Sequence, residues 1–233
     1  MAKRGKRYDK AVGKVNGEEA IPLADAVALL SQQPKAKFRE SVDLSFKLGV
    51  DPRHSDQMVR GTVDLPNGTG KQRKIIVFCK DGPAADAARK AGAVEVGHDE
   101  LLKKVSGGWT DFDVAIATPE AMSEVRKLGR VLGPRGLMPN PKTGTVTDDV
   151  AAAVAAAQGG RVEYKIDKTA NLHVLVGKAD FEADHLLENA RTVIDAVVKA
   201  RPSSAKGIYI KSCTISTTMG PGVKVNVKEV NDA

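Results

Sequence analysis

The chain has 233 residues, room for one or two domains with a real core, and its 42% hydrophobic and 28% charged content is ordinary for a globular protein. A formal net charge of +7 and a pI near 9.3 favour an anionic partner without naming it. One Trp, three Tyr and five Phe are few for a protein that reads bases by stacking, so recognition of shape and backbone is expected. No apolar run approaches a membrane span or a signal-peptide core, which points to the cytoplasm.

Residues 3–14 carry Lys3, Arg4, Lys6, Arg7, Lys10 and Lys14 against the single acid Asp9. This reads as a basic arm for nucleic acid or as a solvated terminus. Pro22 opens a short helix with Leu23, Ala26, Val27 and Leu30 on one stripe, and Pro34 stops it. Val42, Leu44, Phe46 and Leu48 then alternate with Ser41, Asp43, Ser45 and Lys47, the period of a half-buried strand. Phe38 shares the core phase, so core packing is its default role. Its place at the strand's start, beside Lys37, also leaves room for an RNA-facing edge. Val59, Gly61, Val63 and Leu65 alternate in a second strand.

Pro66–Lys71 is Gly-rich but is no phosphate loop, because Leu65 stands where the first glycine is needed and Gln72 replaces the metal-binding Ser/Thr. Beyond it the pattern changes. Ile75–Cys79 is a continuous apolar run, as in a strand covered on both faces. Helices are expected over Pro83–Ala91, Asp99–Val105 and Pro119–Lys127, with strands over Ala93–Val96 and Phe112–Ala117. That alternation implies a small parallel α/β layer, and no turn in it carries a dinucleotide fingerprint. Cys79 and Cys213 each lie in an apolar run and read as buried thiols in a reducing compartment.

From Val125 to Thr147 there is no carboxylate, but there are Arg126, Lys127, Arg130, Arg135 and Lys142. Four glycines and three prolines between Gly129 and Gly144 argue against any regular element. The segment is functional or a rigid wrap between domains. Asp148–Ala157 reads as a helix, Val162–Ile166 and Leu172–Val176 as strands around the turn Asp167–Asn171. Phe181–Ala200 reads as the longest helix, with Leu186, Leu187, Ala190, Val193, Ile194, Val197 and Val198 on its apolar stripe.

A second acid-free window runs from Ala196 to Lys228. In it Ser216-Thr217-Thr218-Met219-Gly220-Pro221-Gly222 separates the apolar run Ile208–Ile215 from the alternating Val223–Val227: strand, polar turn, strand. Hydroxyls and glycine-exposed backbone in a positive field suit a polyanion. An ordinary hairpin with basic edges explains the same pattern.

Half-exposed strands and one-faced helices occur at both ends, and the fully apolar strands lie between them. The chain therefore reads as an α+β domain, residues 1–66 plus 160–233, with an antiparallel sheet and helices on one side. It is interrupted by an inserted three-layer α/β domain, residues 67–159, with a small parallel sheet. His54, His98, His173 and His185 are scattered without metal-ligand spacing, and no catalytic arrangement or cofactor motif stands out. Two readings follow: an RNA-binding structural protein, or an enzyme whose α/β layer takes a phosphorylated ligand under the Gly/Pro segment.

The segment Lys127–Gly144 and the Thr-Thr-Met-Gly-Pro turn closely resemble the bacterial ribosomal protein L1 family. The resemblance continues through Ala36–Val42, Asp51-Pro52-Arg53, Arg60–Val63, Gly108–Asp113 and Asp167-Lys168-Thr169, in order and over nearly the whole chain. It implies no enzyme but a large-subunit protein that binds 23S ribosomal RNA beside other components of the large ribosomal subunit. It further implies a mobile stalk, help in releasing deacylated tRNA from the E site, and repression of the protein's own operon mRNA. The positions matching the family's RNA surface are Lys37, Phe38, Asp167, Lys168, Thr169, Ser212, Thr217, Thr218, Met219 and Gly220. Leu128–Thr143 is left between bracing and RNA contact.

Overall fold

The computed structural model describes residues 5–15, 19–80 and 82–227; Lys3, Arg4 and Lys228 lie outside them. Its elements run α1 (Lys6–Val12), α2 (Leu23–Ser31), β1 (Ser41–Leu48), β2 (Arg60–Asp64), β3 (Ile75–Phe78), α3 (Pro83–Lys90), β4 (Glu95–Gly97), α4 (Asp99–Ser106) and β5 (Val114–Ala117). They continue with α5 (Met122–Val125), α6 (Gly129–Leu132), α7 (Val150–Gly159), β6 (Arg161–Lys165), β7 (Asn171–Lys178), α8 (Ala183–Lys199), β8 (Ile210–Thr217) and β9 (Val223–Val225). They fall into two compact units, one built from the chain up to Gly70 and from Val162 onward, the other from Lys71 to Arg161.

The first unit is organised around β1, the centre of a four-stranded antiparallel sheet ordered β7-β1-β8-β9. Its alternating sequence becomes alternating burial: Val42, Leu44, Phe46 and Leu48 are buried, and Ser41, Asp43, Ser45 and Lys47 half-exposed. Leu172, Val174 and Val176 of β7 and Cys213 and Ile215 of β8 extend the apolar face, which α2 and α8 cover with Ala26, Val27, Leu30, Ala190, Val193, Ile194 and Val197. Each larger side chain so buried contributes about 1.5–3 kcal/mol. β2 and β6 form a separate two-stranded sheet, and Ile166, just past β6, bridges Leu172 of β7.

Asn189 stands on the apolar stripe of α8 yet is fully buried. Its amide accepts from Asn67 N–H (3.1 Å) and donates to the Gly68 and Val176 carbonyls (3.1 and 2.8 Å). A polar group inside a core survives only when paired in this way. It ties the Pro66–Gly70 turn to the helix.

The second unit carries the parallel sheet β4-β3-β5. β3 alternates sides inside two apolar layers: Ile76 and Phe78 pack with Leu101, Val105 and Val125, while Ile75 and Val77 pack with Ala85, Ala88, Val150 and Val154. Every residue of β3 is buried, which is why its sequence shows no alternation.

Several expected bounds move. The expected Pro119–Lys127 helix starts only at Met122, as α5, and passes into a 3-10 turn (Arg126–Leu128) that leads on to α6. Gly129 opens the last of these instead of ending the run, so one short helical element does form within the Gly/Pro segment. A further 3-10 turn, Pro141–Thr143, is capped by the Asn140 carboxamide, which accepts from Lys142 N–H. Leu128 and Leu132 anchor the segment in its own unit's core, where a glycine-rich backbone gains order from packing. Ile208 does not join its apolar strand; it is exposed, and β8 starts at Ile210.

Candidate nucleic-acid interface

The face of the sheet opposite α2 and α8 is polar. Cross-strand register sets its rows: Leu175, Asp43 and Ser216; then His173, Ser45, Thr214 and Lys224; then Asn171, Lys47 and Ser212. Ser45 Oγ and His173 Nδ1 are hydrogen-bonded at 2.9 Å. From Ser41 to Lys47 the face is about 20 Å long, at roughly 3.4 Å per residue.

At one end lies the turn that follows β8. Its anchor is Glu40, 4% exposed, whose carboxylate accepts from Ala36 N–H (2.7 Å), Met219 N–H (3.2 Å) and Arg7 Nη1 (3.1 Å). Burial opposes ionisation of Glu40, but bonds from the Thr217 hydroxyl, the Ala36 and Met219 amides and Arg7 outweigh it and hold the carboxyl below its ordinary range. Arg7 also donates to the Pro34 and Met219 carbonyls. It therefore acts as a brace for the turn, more than the solvated or RNA-grasping arm that its sequence setting allowed. Thr218 Oγ1 accepts from Ser41 N–H at 2.9 Å, and Thr218 N–H donates to the Ser41 carbonyl at 3.0 Å.

Lys37 is exposed, and so is Phe38, at 54%. The core-packing expectation for Phe38 is corrected here: β1 begins only at Ser41, so alternation does not reach back to it. Met219 is likewise 51% exposed, leaving two large apolar side chains in the segments that meet at Glu40. Such surfaces suit sugar and base faces.

At the other end, Ser212 is exposed and pairs in register with Lys47, whose ammonium donates to the Thr169 carbonyl. Asp167 braces this turn. It accepts from the Asn171 and Thr169 amides (2.7 and 2.8 Å) and from the Thr169 hydroxyl. The bonds offset the left-handed backbone at Ala170 (φ 64°), unusual for a residue with a Cβ. The Asn171 amide, then the Thr169 hydroxyl, draw the Asp167 carboxyl down to about 2. A depressed carboxylate adds stability that is present above its unfolded value and lost as pH falls through the folded one. The turn is therefore expected to persist on acidification until pH nears 2; an NMR titration of the Asp167 carboxyl carbon with a midpoint near its ordinary 3.8 would contradict this.

Lys37, Phe38, Thr217, Thr218, Met219 and Gly220 thus gather at the Glu40 end, and Asp167, Lys168, Thr169 and Ser212 at the Lys47 end, with the outward side chains of β1 between them. Sequence reasoning missed Glu40, His173, Ser45 and Asp43 as members of this surface. Glu40 did leave a signal, an acid standing in the apolar phase just before an alternating strand.

Asp43 is pushed up by partial burial, against the pull of Lys178 and His173. A carboxylate at mid-face repels phosphate and favours hydroxyl or amino donors. Lys168 is exposed on the Asp167 turn. Lys168→Ala is expected to lower the slope of log K against log salt by about one unit; an identical slope would mean that Lys168 touches no phosphate.

In the second unit, His98 Nδ1 meets Asp99 at 2.9 Å and Nε2 faces Glu124 at 3.8 Å. These three are the candidate metal-ligating group among the described residues. A carboxylate oxygen thus lies toward each ring nitrogen. No described helix is long and apolar enough to cross a membrane.

Comparison with known proteins gives the chain's family. The profile of the "Ribosomal protein L1p/L10e family" matches residues 29–221. The protein named "Large ribosomal subunit protein uL1" of Leifsonia xyli subsp. xyli is 54% identical over 230 residues, covering 99% of this chain and 100% of that protein. Proteins of the same name from Clavibacter michiganensis subsp. michiganensis (53% over 230 residues, 99% of this chain and 100% of that protein) and Cutibacterium acnes (52% over 231 residues, 99% of each) are similar along their length. The chain belongs to the ribosomal protein L1p/L10e family.

Proposed function

We propose that this chain is a structural RNA-binding constituent of the large ribosomal subunit, and that the open face of its four-stranded sheet docks on a folded site of 23S ribosomal RNA. The observation that carries this reading is the continuity of that face. Two turns far apart in sequence are joined by β1 into one row of hydroxyls, amides and lysines. Ser and Thr hydroxyls donate to phosphate and pair with ribose 2′-OH groups, the feature that separates RNA from DNA. Gly220 lets backbone approach closely. Lys37 and Lys168 supply charge.

The relatives' name, a large-subunit protein, supports the ribosomal assignment and with it a place in the cytoplasm. In the finer reading the bound chain forms a mobile stalk and assists release of deacylated E-site tRNA. It also represses its own operon mRNA through an rRNA-like site. One rigid surface serves both RNA targets if the ribosomal site binds more tightly and captures the protein first. Residues 1–66 with 160–233 act as the RNA-binding domain, and residues 67–159 as an insert. Leu128–Thr143 braces domains or contacts RNA.

Footprinting of the purified chain on total ribosomal RNA tests the proposal. Protection confined to one folded site of 23S RNA supports it; absence of protection, or protection scattered over all the RNA, removes it.

A further inference from the structure

Beneath the Thr217–Gly220 turn lies a group that neither the fold nor the RNA surface yet accounts for. Gln33, just past α2, is 6% exposed, and both its Oε1 and its Nε2 are buried without a hydrogen-bond partner. An unpaired buried carboxamide costs free energy that an apolar side chain of equal length would not. The neighbouring polar groups under the turn are paired: Glu40 with its donors, Thr217 with Glu40, and Gly220 N–H with the Thr217 carbonyl.

Gln33 touches the turn itself. A Cβ built on Gly220 would stand 2.6 Å from Gln33 Oε1 and 2.4 Å from Thr217 Oγ1. The two oxygens are therefore separated by no more than those lengths end to end, so a shift of at most about 2 Å brings them to hydrogen-bond distance.

We propose that Gln33 is a positioning residue for RNA recognition, its carboxamide left unpaired in the free protein and paired with the Thr217–Gly220 turn when RNA seats on that turn. This rests on the RNA-binding reading above. Thr217 has one hydroxyl proton, which in the free protein goes to Glu40. Ribose or phosphate groups pressing on Met219 and Gly220 move the turn toward Gln33. Turned about its last bond, the carboxamide then donates from Nε2 to the Thr217 hydroxyl oxygen, whose own proton stays with Glu40. The cost carried by the free protein is released on binding and so adds to affinity. Strain kept at a binding site in this way lowers stability in exchange for function.

The test uses the full chain with Gln33→Leu and, as a second apolar replacement of closer length, Gln33→Met. Thermal unfolding and affinity for transcribed 23S ribosomal RNA are measured for each. Both variants are expected to melt about 2–4 °C higher than the parent. Both are expected to bind RNA about tenfold more weakly, a loss of ~1.4 kcal/mol, with an unchanged salt slope because no charge is removed. A purely structural role cannot move stability and affinity in opposite directions. Unchanged affinity in both variants, or stability and affinity falling together, overturns the proposal. Failure of the parent chain itself to bind the RNA would instead remove the underlying RNA-binding reading, and this inference with it.

Discussion

Replacing Glu40 by alanine is expected to destabilise the chain by about 3 kcal/mol and to weaken binding to 23S ribosomal RNA at least tenfold. The carboxylate is buried and meets only donors: the Ala36 and Met219 amides, Arg7 and the Thr217 hydroxyl. Truncation leaves the two amides without their acceptor and Arg7 without its charge partner, beneath the turn on which RNA seats. Glu40→Gln should recover little, because one of its two polar atoms is itself a donor and would face another donor. Since the Glu40 carboxyl is held low, its contribution is full above the ordinary carboxylate range and fades as pH falls through the folded value. Chemical denaturation and equilibrium RNA binding check both effects. An intact fold with parental affinity would detach Glu40 from the site.

Thr218→Val is expected to weaken RNA binding by about 1–3 kcal/mol while changing stability little. The Thr218 hydroxyl already accepts from Ser41 N–H, but its own bond to the Ser41 carbonyl is long, at 3.4 Å. Its proton is therefore free for a better acceptor. In the free protein the residue is exposed, so water replaces what valine cannot offer to Ser41. Under bound RNA that water is excluded, and the Ser41 amide and an RNA acceptor are both left unpaired. A valine variant that folds and binds like the parent would take Thr218 out of the interface.

The elements legible in the sequence are those whose pattern is local. The alternation of Val42–Leu48, the stripe of α2 and the solid apolar run of β3 each translate directly into burial. The stripe of α8 is legible too, except that buried Asn189 stands on it, where hydrogen bonds with a distant turn decide its place. The Pro119–Lys127 segment misled because residue preference cannot say where an α-helical turn tightens to a 3-10 one.

For the site, both turns could be named from their composition and family resemblance, but nothing local said that one face joins them. That follows from the order β7-β1-β8-β9, which pairs residue 47 with residues 171 and 212. Phe38 and Glu40 show the same limit from the other side. Both sit in the core phase and both precede β1, yet one is exposed, while the other is buried because Arg7 and the turn at Met219 come to meet it. Gln33 left no signal at all, since its burial and its closeness to Gly220 arise only once the distant turn folds beside it.

The central claim is that a row of hydroxyls and amides reads ribose as well as phosphate. Equilibrium binding of the purified chain to the footprinted 23S segment, beside an all-deoxy copy of the same sequence at matched salt, measures it most directly. The account predicts salt-dependent binding to the RNA and affinity for the deoxy copy lower by a hundredfold or more, about 2.7 kcal/mol. Equal affinity for both strands would contradict it.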